Sequence, residues 1–168
     1  MRLWLLRHAK SSWDESDLAD HDRPLSPRGE RDAERMRRYL EGVDADPALV
    51  LCSSALRARR TLELVAPALR GDPDIRIEPE LYTFDATVLL ARLRAMGTTA
   101  EPVMIVGHNP AIQELSLNIV GSGKALPAMA EKYPTGALAE IEVTGDSWGG
   151  LEDRTGRLLR FMKPRDLA

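Results

Sequence analysis

Three short apolar runs, each ending in a side chain able to hold or attack an anion, constrain this chain more than any other feature. Leu3–Leu6 runs into Arg7-His8, Ala48–Cys52 into "SSALR" ending at Arg57, and Val103–Val106 into Gly107-His108. Runs of four or five apolar residues with no polar alternation read as strands buried on both faces. A helix is expected after each. Ser26-Pro27 signals a start, with Ser26 as N-cap and Pro27 in the first turn, and Ala33, Met36, Tyr39 and Leu40 give one apolar face up to Gly42. After Cys52 a helix is expected that Ser53 or Ser54 caps, that bends near Pro67 and that ends at Gly71. After His108, Asn109 is expected as the cap and Pro110 as the opening residue.

Between these units, "IRIEPELY" suggests a short strand and turn, and Thr87–Met96 has helical periodicity ending at Gly97. Gly121–Pro134 reads as a loop with at most one helical turn, and Ala137–Val143 and Arg157–Met162 as two antiparallel strands. Strands alternating with helices indicate an α/β domain with a mainly parallel sheet covered on both faces and an antiparallel addition near the C-terminus. Right-handed crossovers then gather the strands' carboxyl ends on one edge, where such sheets bind ligands.

Two imidazoles and at least two guanidiniums converging on that edge suit a tetrahedral anion, because the guanidinium fork matches phosphate oxygens in pairs. Phosphate is the leading candidate, held by Arg7, His8, Arg57 and His108. Arg59 and Arg60 read as a solvated face, and His21 in "DHDRP" as a loop histidine rather than a metal ligand. The formal net charge of -3, from 23 Lys plus Arg against 26 Asp plus Glu, excludes the basic footprint of a nucleic-acid or membrane-surface binder. The opening apolar run is too short for a signal peptide and no later run could span a bilayer, so a cytoplasmic location is expected. With 168 residues, one domain covering 1–168 is expected, and a monomer, since no long exposed apolar helix demands a partner.

Other phosphate chemistries fit less well. "GSGKA" at 121–125 has Asn118 where a P-loop needs its first glycine and Ala125 where it needs Ser or Thr. A cysteine phosphatase needs an arginine six positions after its nucleophile, and from the single Cys52 that position is Ala58. Three histidines are too few for a dinuclear metal site, so neither metal nor cofactor is expected.

With Arg7-His8, "RPLSPRGE", "SSALRARRT" and "GHNP" together, the chain resembles the histidine phosphatase superfamily, and "LLRHAKSSW" in so short a chain resembles its SixA-type phosphohistidine phosphatases. The resemblance implies a three-layer α/β/α sandwich of the phosphoglycerate mutase-like kind. It further implies that His8 is the nucleophile and that Arg7, Arg57 and His108 bind phosphate. For the general acid, which in many relatives is a carboxyl group on an insertion, the candidate is Glu80 in "PELY". The expected substrate is protein phosphohistidine, whose labile P–N bond needs little acid assistance. The alternatives are a small phosphorylated metabolite, contacted by Lys10 and the Trp13–Asp22 loop, or a phosphate-recognising module without turnover.

Overall fold

A computed structural model describes residues 1–168. It contains seven strands: β1 (Arg2–Arg7), β2 (Leu49–Ser53), β3 (Asp74–Glu78), β4 (Val103–Gly107), β5 (Val120–Ser122), β6 (Leu138–Val143) and β7 (Gly156–Met162). Its five helices are α1 (Pro27–Gly42), α2 (Leu56–Val65), α3 (Ala86–Arg94), α4 (Ala111–Ile119) and α5 (Leu126–Glu131). All strands form one sheet in the order β3-β2-β4-β1-β6-β7-β5. The four strands from β3 to β1 are parallel; β6 pairs antiparallel with β1, β7 antiparallel with β6, and the short β5 parallel with β7 at the sheet's far edge.

Period-two alternation divides the core into two layers. Leu3, Leu5, Leu51 and Ile105 point to one side, where Leu89, Leu93, Ile112, Leu115 and Trp148 cover them. Trp4, Leu6, Val50, Cys52, Met104 and Val106 point to the other, against Met36 and Leu40 of α1 and Leu62 and Val65 of α2. The parallel registers Leu6↔Val106 and Cys52↔Val106 end the three central strands at one level. That shared level brings Arg7, Ser53 and Gly107 to one edge.

The expected architecture is present, with local differences at helix starts and in one long connection. Ser26 caps α1 as expected, its side chain accepting from the Gly29 amide at 3.0 Å. At α2 the cap position is Ala55, and the Ser53 hydroxyl instead accepts from the Ala55 amide at 3.2 Å. At α4 the cap position is Pro110, and Asn109 turns its amide to the Tyr133 carbonyl at 3.1 Å. Residues 121–134 contain most of the short strand β5 and all of α5 rather than a loop, and Val120 begins that strand.

One glycine has a demanding role. Gly29, in the first turn of α1, lies so close to the segment after His8 that an added Cβ would stand 2.1 Å from the Lys10 carbonyl oxygen. The same carbonyl accepts from the Ser26 amide at 2.9 Å and from its hydroxyl at 3.1 Å, which pins the helix to the segment. Gly29→Ala forces the backbones apart, and overpacking of this kind costs about 1–3 kcal/mol. The expected result is a lower urea midpoint at unchanged m-value.

Candidate active site

The edge formed by β1, β2 and β4 opens into a cavity of about 500 Å³ lined by Arg7, His8, Arg57 and His108, with Asp20, Tyr82 and Phe84 on its rim. His8 leaves β1 with its amide bonded to the Gly107 carbonyl at 3.0 Å. Its own carbonyl accepts from the Gly136 amide at 2.9 Å. Both backbone groups are satisfied, so the imidazole is held by the sheet rather than by a free loop. Ala9 is fully buried here, its amide donating to the Thr61 hydroxyl at 2.9 Å, and Thr61 donates in turn to the Arg57 carbonyl at 2.7 Å. This chain of contacts locks the first turn of α2 to the strand end that carries His8.

The hydrogen bonds fix the tautomer of His8. Nδ1 lies 2.7 Å from the Ala9 carbonyl oxygen, which can only accept, so Nδ1 carries the proton. Nε2 lies 3.3 Å from the Arg57 Nε–H, which can only donate, so Nε2 presents a lone pair. His108 is neutral by the same reasoning. Its Nδ1 faces the Arg57 Nη2 at 3.4 Å and its Nε2 meets the Ser53 hydroxyl at 2.7 Å. The two rings lie 5.0 Å apart.

Electrostatics agree with the geometry. Burial, reinforced by Arg57 and Arg7, lowers the His8 pKa to about 4. Burial, with His8 and Arg57 next, lowers that of His108 to about 3. Ring ¹³C and ¹⁵N shifts of both residues should therefore stay those of neutral imidazole from pH 7 down to pH 5. Stability follows with a definite sign. Below the ordinary value of 6.5 the unfolded chain takes up protons that the folded pocket refuses, so stability present above pH 6.5 is lost as pH falls toward 4. By pH 5 the loss is roughly 2 kcal/mol for each ring, read as a falling urea midpoint.

Arg57 is the organising cation. It is only 5% exposed and, besides His8 and His108, donates from Nη1 to the Asp20 carbonyl at 2.6 Å and from Nη2 to the Asp20 carboxylate at 3.0 Å. Arg7 donates from Nη1 to the Tyr133 carbonyl at 2.7 Å, while its buried Nε has no partner within the protein. A half-buried guanidinium whose buried Nε–H has no protein partner, beside two neutral imidazoles, is a place for an oxyanion.

Four of the five residues singled out from the sequence meet in this cavity; Glu80 does not. It sits exposed in the 3-10 turn Pro79–Leu81 and is not among the lining residues. The turn directs Leu81 into the core and Tyr82 to the cavity, which leaves Glu80 facing solvent. The cavity's one carboxylate is Asp20, from the 3-10 turn Asp20–Asp22. Hydrogen bonds from Tyr82 and Arg57 hold its pKa below the ordinary carboxylate value. Sequence reasoning misses Asp20, Tyr82 and Phe84 as individual residues, although it gives the Trp13–Asp22 loop as a contact segment for a small phosphorylated substrate. His21, read as a loop histidine, bonds to the Ser54 hydroxyl at 2.9 Å beside Tyr82.

The family model of the histidine phosphatase superfamily (branch 1) matches residues 3–94, which carry His8 and Arg57. An uncharacterised protein of Mycobacterium leprae is 34% identical over 95% of this chain and its own full length. The phosphohistidine phosphatase SixA of Escherichia coli is 29% identical over 84% of each chain. A solved structure from Nakamurella multipartitia, assigned as a phosphohistidine phosphatase SixA, superposes with a TM-score of 0.79 at 30% identity and covers 97% of this chain and 95% of that one. Sequence match and cavity agree, and the chain belongs to the histidine phosphatase superfamily as a phosphatase of the SixA type.

Proposed function

We propose that residues 1–168 act as one domain that hydrolyses phosphohistidine on another protein through a phosphoenzyme at His8. Arg7, Arg57 and His108 hold the phosphoryl oxygens. The Nε2 lone pair attacks phosphorus, and the new P–Nε2 bond forms as the substrate's P–N bond breaks. The departing imidazole takes its proton from solvent. Water then attacks the phosphoenzyme in line, releasing inorganic phosphate and restoring neutral His8. Nδ1–H remains on the Ala9 carbonyl throughout, which keeps the ring in the reactive tautomer.

The state of Asp20 carries the choice of substrate. As the cavity's one carboxylate, held ionised by Tyr82 and Arg57, it is a poor proton donor at neutral pH. A site without a strong acid favours leaving groups that need little protonation, and the imidazole of phosphohistidine is one. Turnover of phosphate esters should therefore depend steeply on the leaving group, with a p-nitrophenyl ester cleaved at least about 10²-fold faster than an alkyl ester. Glu80→Gln leaves both rates unchanged.

Incubation with a ³²P-phosphohistidine protein, quenched in alkali, tests the reading directly. Acid-labile label should appear on His8 of this chain. Chelation with EDTA should not slow the reaction, since no three His, Cys, Asp or Glu side chains are grouped as a metal would need. A chelator-sensitive rate restored by a divalent ion overturns the metal-independent mechanism. Activity in the cytoplasm as a monomer is part of the same proposal.

A second reading has its own support: Lys10 and Trp13 line the cavity mouth and could contact a small phosphorylated metabolite. Higher kcat/KM across a metabolite panel than on the phosphohistidine protein would favour it.

A further inference from the structure

Beside the catalytic cavity lies a second hollow of about 260 Å³ with a charge unlike that of the whole molecule. Arg28, Arg31 and Arg35 line it from α1 at helical spacing, and Lys163 and Arg165 from the segment after β7. Its one carboxylate, Asp32, is buried and already engaged by Arg28 at 3.5 Å and Arg35 at 3.1 Å. The other acids of α1 face elsewhere, Glu30 toward Arg60 of α2, and Glu34 and Glu41 toward Arg37. A chain with a formal net charge of -3 thus sets five cations around one lining carboxylate, and even with Asp166 paired to Arg165 at 3.6 Å the cations outnumber the acids by five to two.

The hollow adjoins the site. Thr135 lines both cavities. The next residue, Gly136, has a φ of 75° and bonds through its amide to the His8 carbonyl on one side. On the other, an added Cβ would stand 2.8 Å from Pro164, between Lys163 and Arg165. One short loop separates the nucleophile from the cationic surface.

We propose that this hollow docks an acidic segment of the phosphorylated protein next to its phosphohistidine, an inference that rests on the substrate reading above. Exposure favours such an occupant. The side chains of Arg28, Arg35 and Arg165 are 68%, 43% and 74% exposed, whereas Arg57 in the phosphate cavity is 6% exposed. Exposed, hydrated guanidiniums suit an extended surface of hydrated carboxylates, while a subsite for a second phosphate would bury its arginines. Individual pairs of this kind contribute little, but their summed field raises the encounter rate and selects the partner.

The test compares two synthetic phosphohistidine peptides with the same core, one flanked by glutamates and one by lysines, with p-nitrophenyl phosphate as a control. The native protein should prefer the glutamate-flanked peptide by about tenfold in kcat/KM at low salt. The variant Arg28→Gln/Arg31→Glu/Arg165→Glu should lose that preference while turning over the ester at the native rate. As a check independent of the variant's folding, raising ionic strength should bring the native preference toward unity. No preference in the native protein, or one indifferent to both salt and substitution, overturns the docking surface while leaving phosphohistidine hydrolysis standing. Cleavage of the ester but of neither peptide overturns the substrate reading, and docking with it. Equal peptide rates, with inhibition by tripolyphosphate that the variant loses, would make the hollow a small-polyanion site and also overturn docking.

Discussion

His8→Ala should abolish turnover, by about 10⁴-fold or more in kcat, and should remove the acid-labile label entirely. The size of the loss follows from the role. An imidazole that only positions substrate can be removed at modest cost, but one that forms the covalent intermediate leaves no alternative bond for the phosphoryl group. No other nucleophile is placed to substitute. The nearby Nδ1 of His108 faces Arg57, and its Nε2 is committed to the Ser53 hydroxyl. The variant should still fold, since His8 lies at a strand end and its backbone bonds to Gly107 and Gly136 do not involve the side chain. It should also still bind vanadate or tungstate through the arginines. Binding kept, with turnover and the covalent label both lost, identifies the nucleophile; residual label on another residue would relocate it.

Arg57→Ala should follow at about 10²–10⁴-fold in kcat/KM, roughly 3–5 kcal/mol of transition-state stabilisation. One guanidinium there faces both imidazoles and the Asp20 carboxylate from a nearly water-free position. As the phosphoryl group transfers, charge develops on oxygens that this fork can meet without reorganising. Arg57→Lys should recover little of the loss, because a single ammonium cannot reproduce the planar set of donors. Removing the guanidinium also frees Asp20 from one of the two groups that keep it ionised, so its pKa should rise. A pH–rate profile with a new ionisation on the acid side would show that second effect. An unchanged rate would remove Arg57 from the site.

Both experiments concern residues that the sequence announced, and the reason is physical. A strand buried on both faces must be an unbroken apolar run, so the first hydrophilic residue after it marks the sheet edge where ligands bind. Leu3–Leu6, Ala48–Cys52 and Val103–Val106 all carry that signature, and Arg7, His8 and His108 are the residues that end two of them. Asp20 carries no such mark. It stands in an aperiodic loop among other acids, and only contacts to Arg57, 37 residues away, and Tyr82, 62 residues away, make it different. Glu80 shows the opposite error, since a carboxylate two residues from a cavity-lining tyrosine is adjacent in sequence yet outside the cavity once the 3-10 turn forms. Ser53 was legible as a polar residue at a helix start, but its service to His108 requires knowing that β2 and β4 are neighbours. The strand β5 and helix α5, with three and six residues, are too short to establish a period.

Cys52, the chain's single cysteine, lies fully buried among the core side chains of β2, and burial pushes its thiol up to about 12. At neutral pH it has almost no thiolate, the form that peroxides and alkylating agents attack. With the proposed attack made by a ring nitrogen and its lone sulfhydryl sealed away, this phosphatase should keep working through an oxidative burst that silences thiol-based phosphatases.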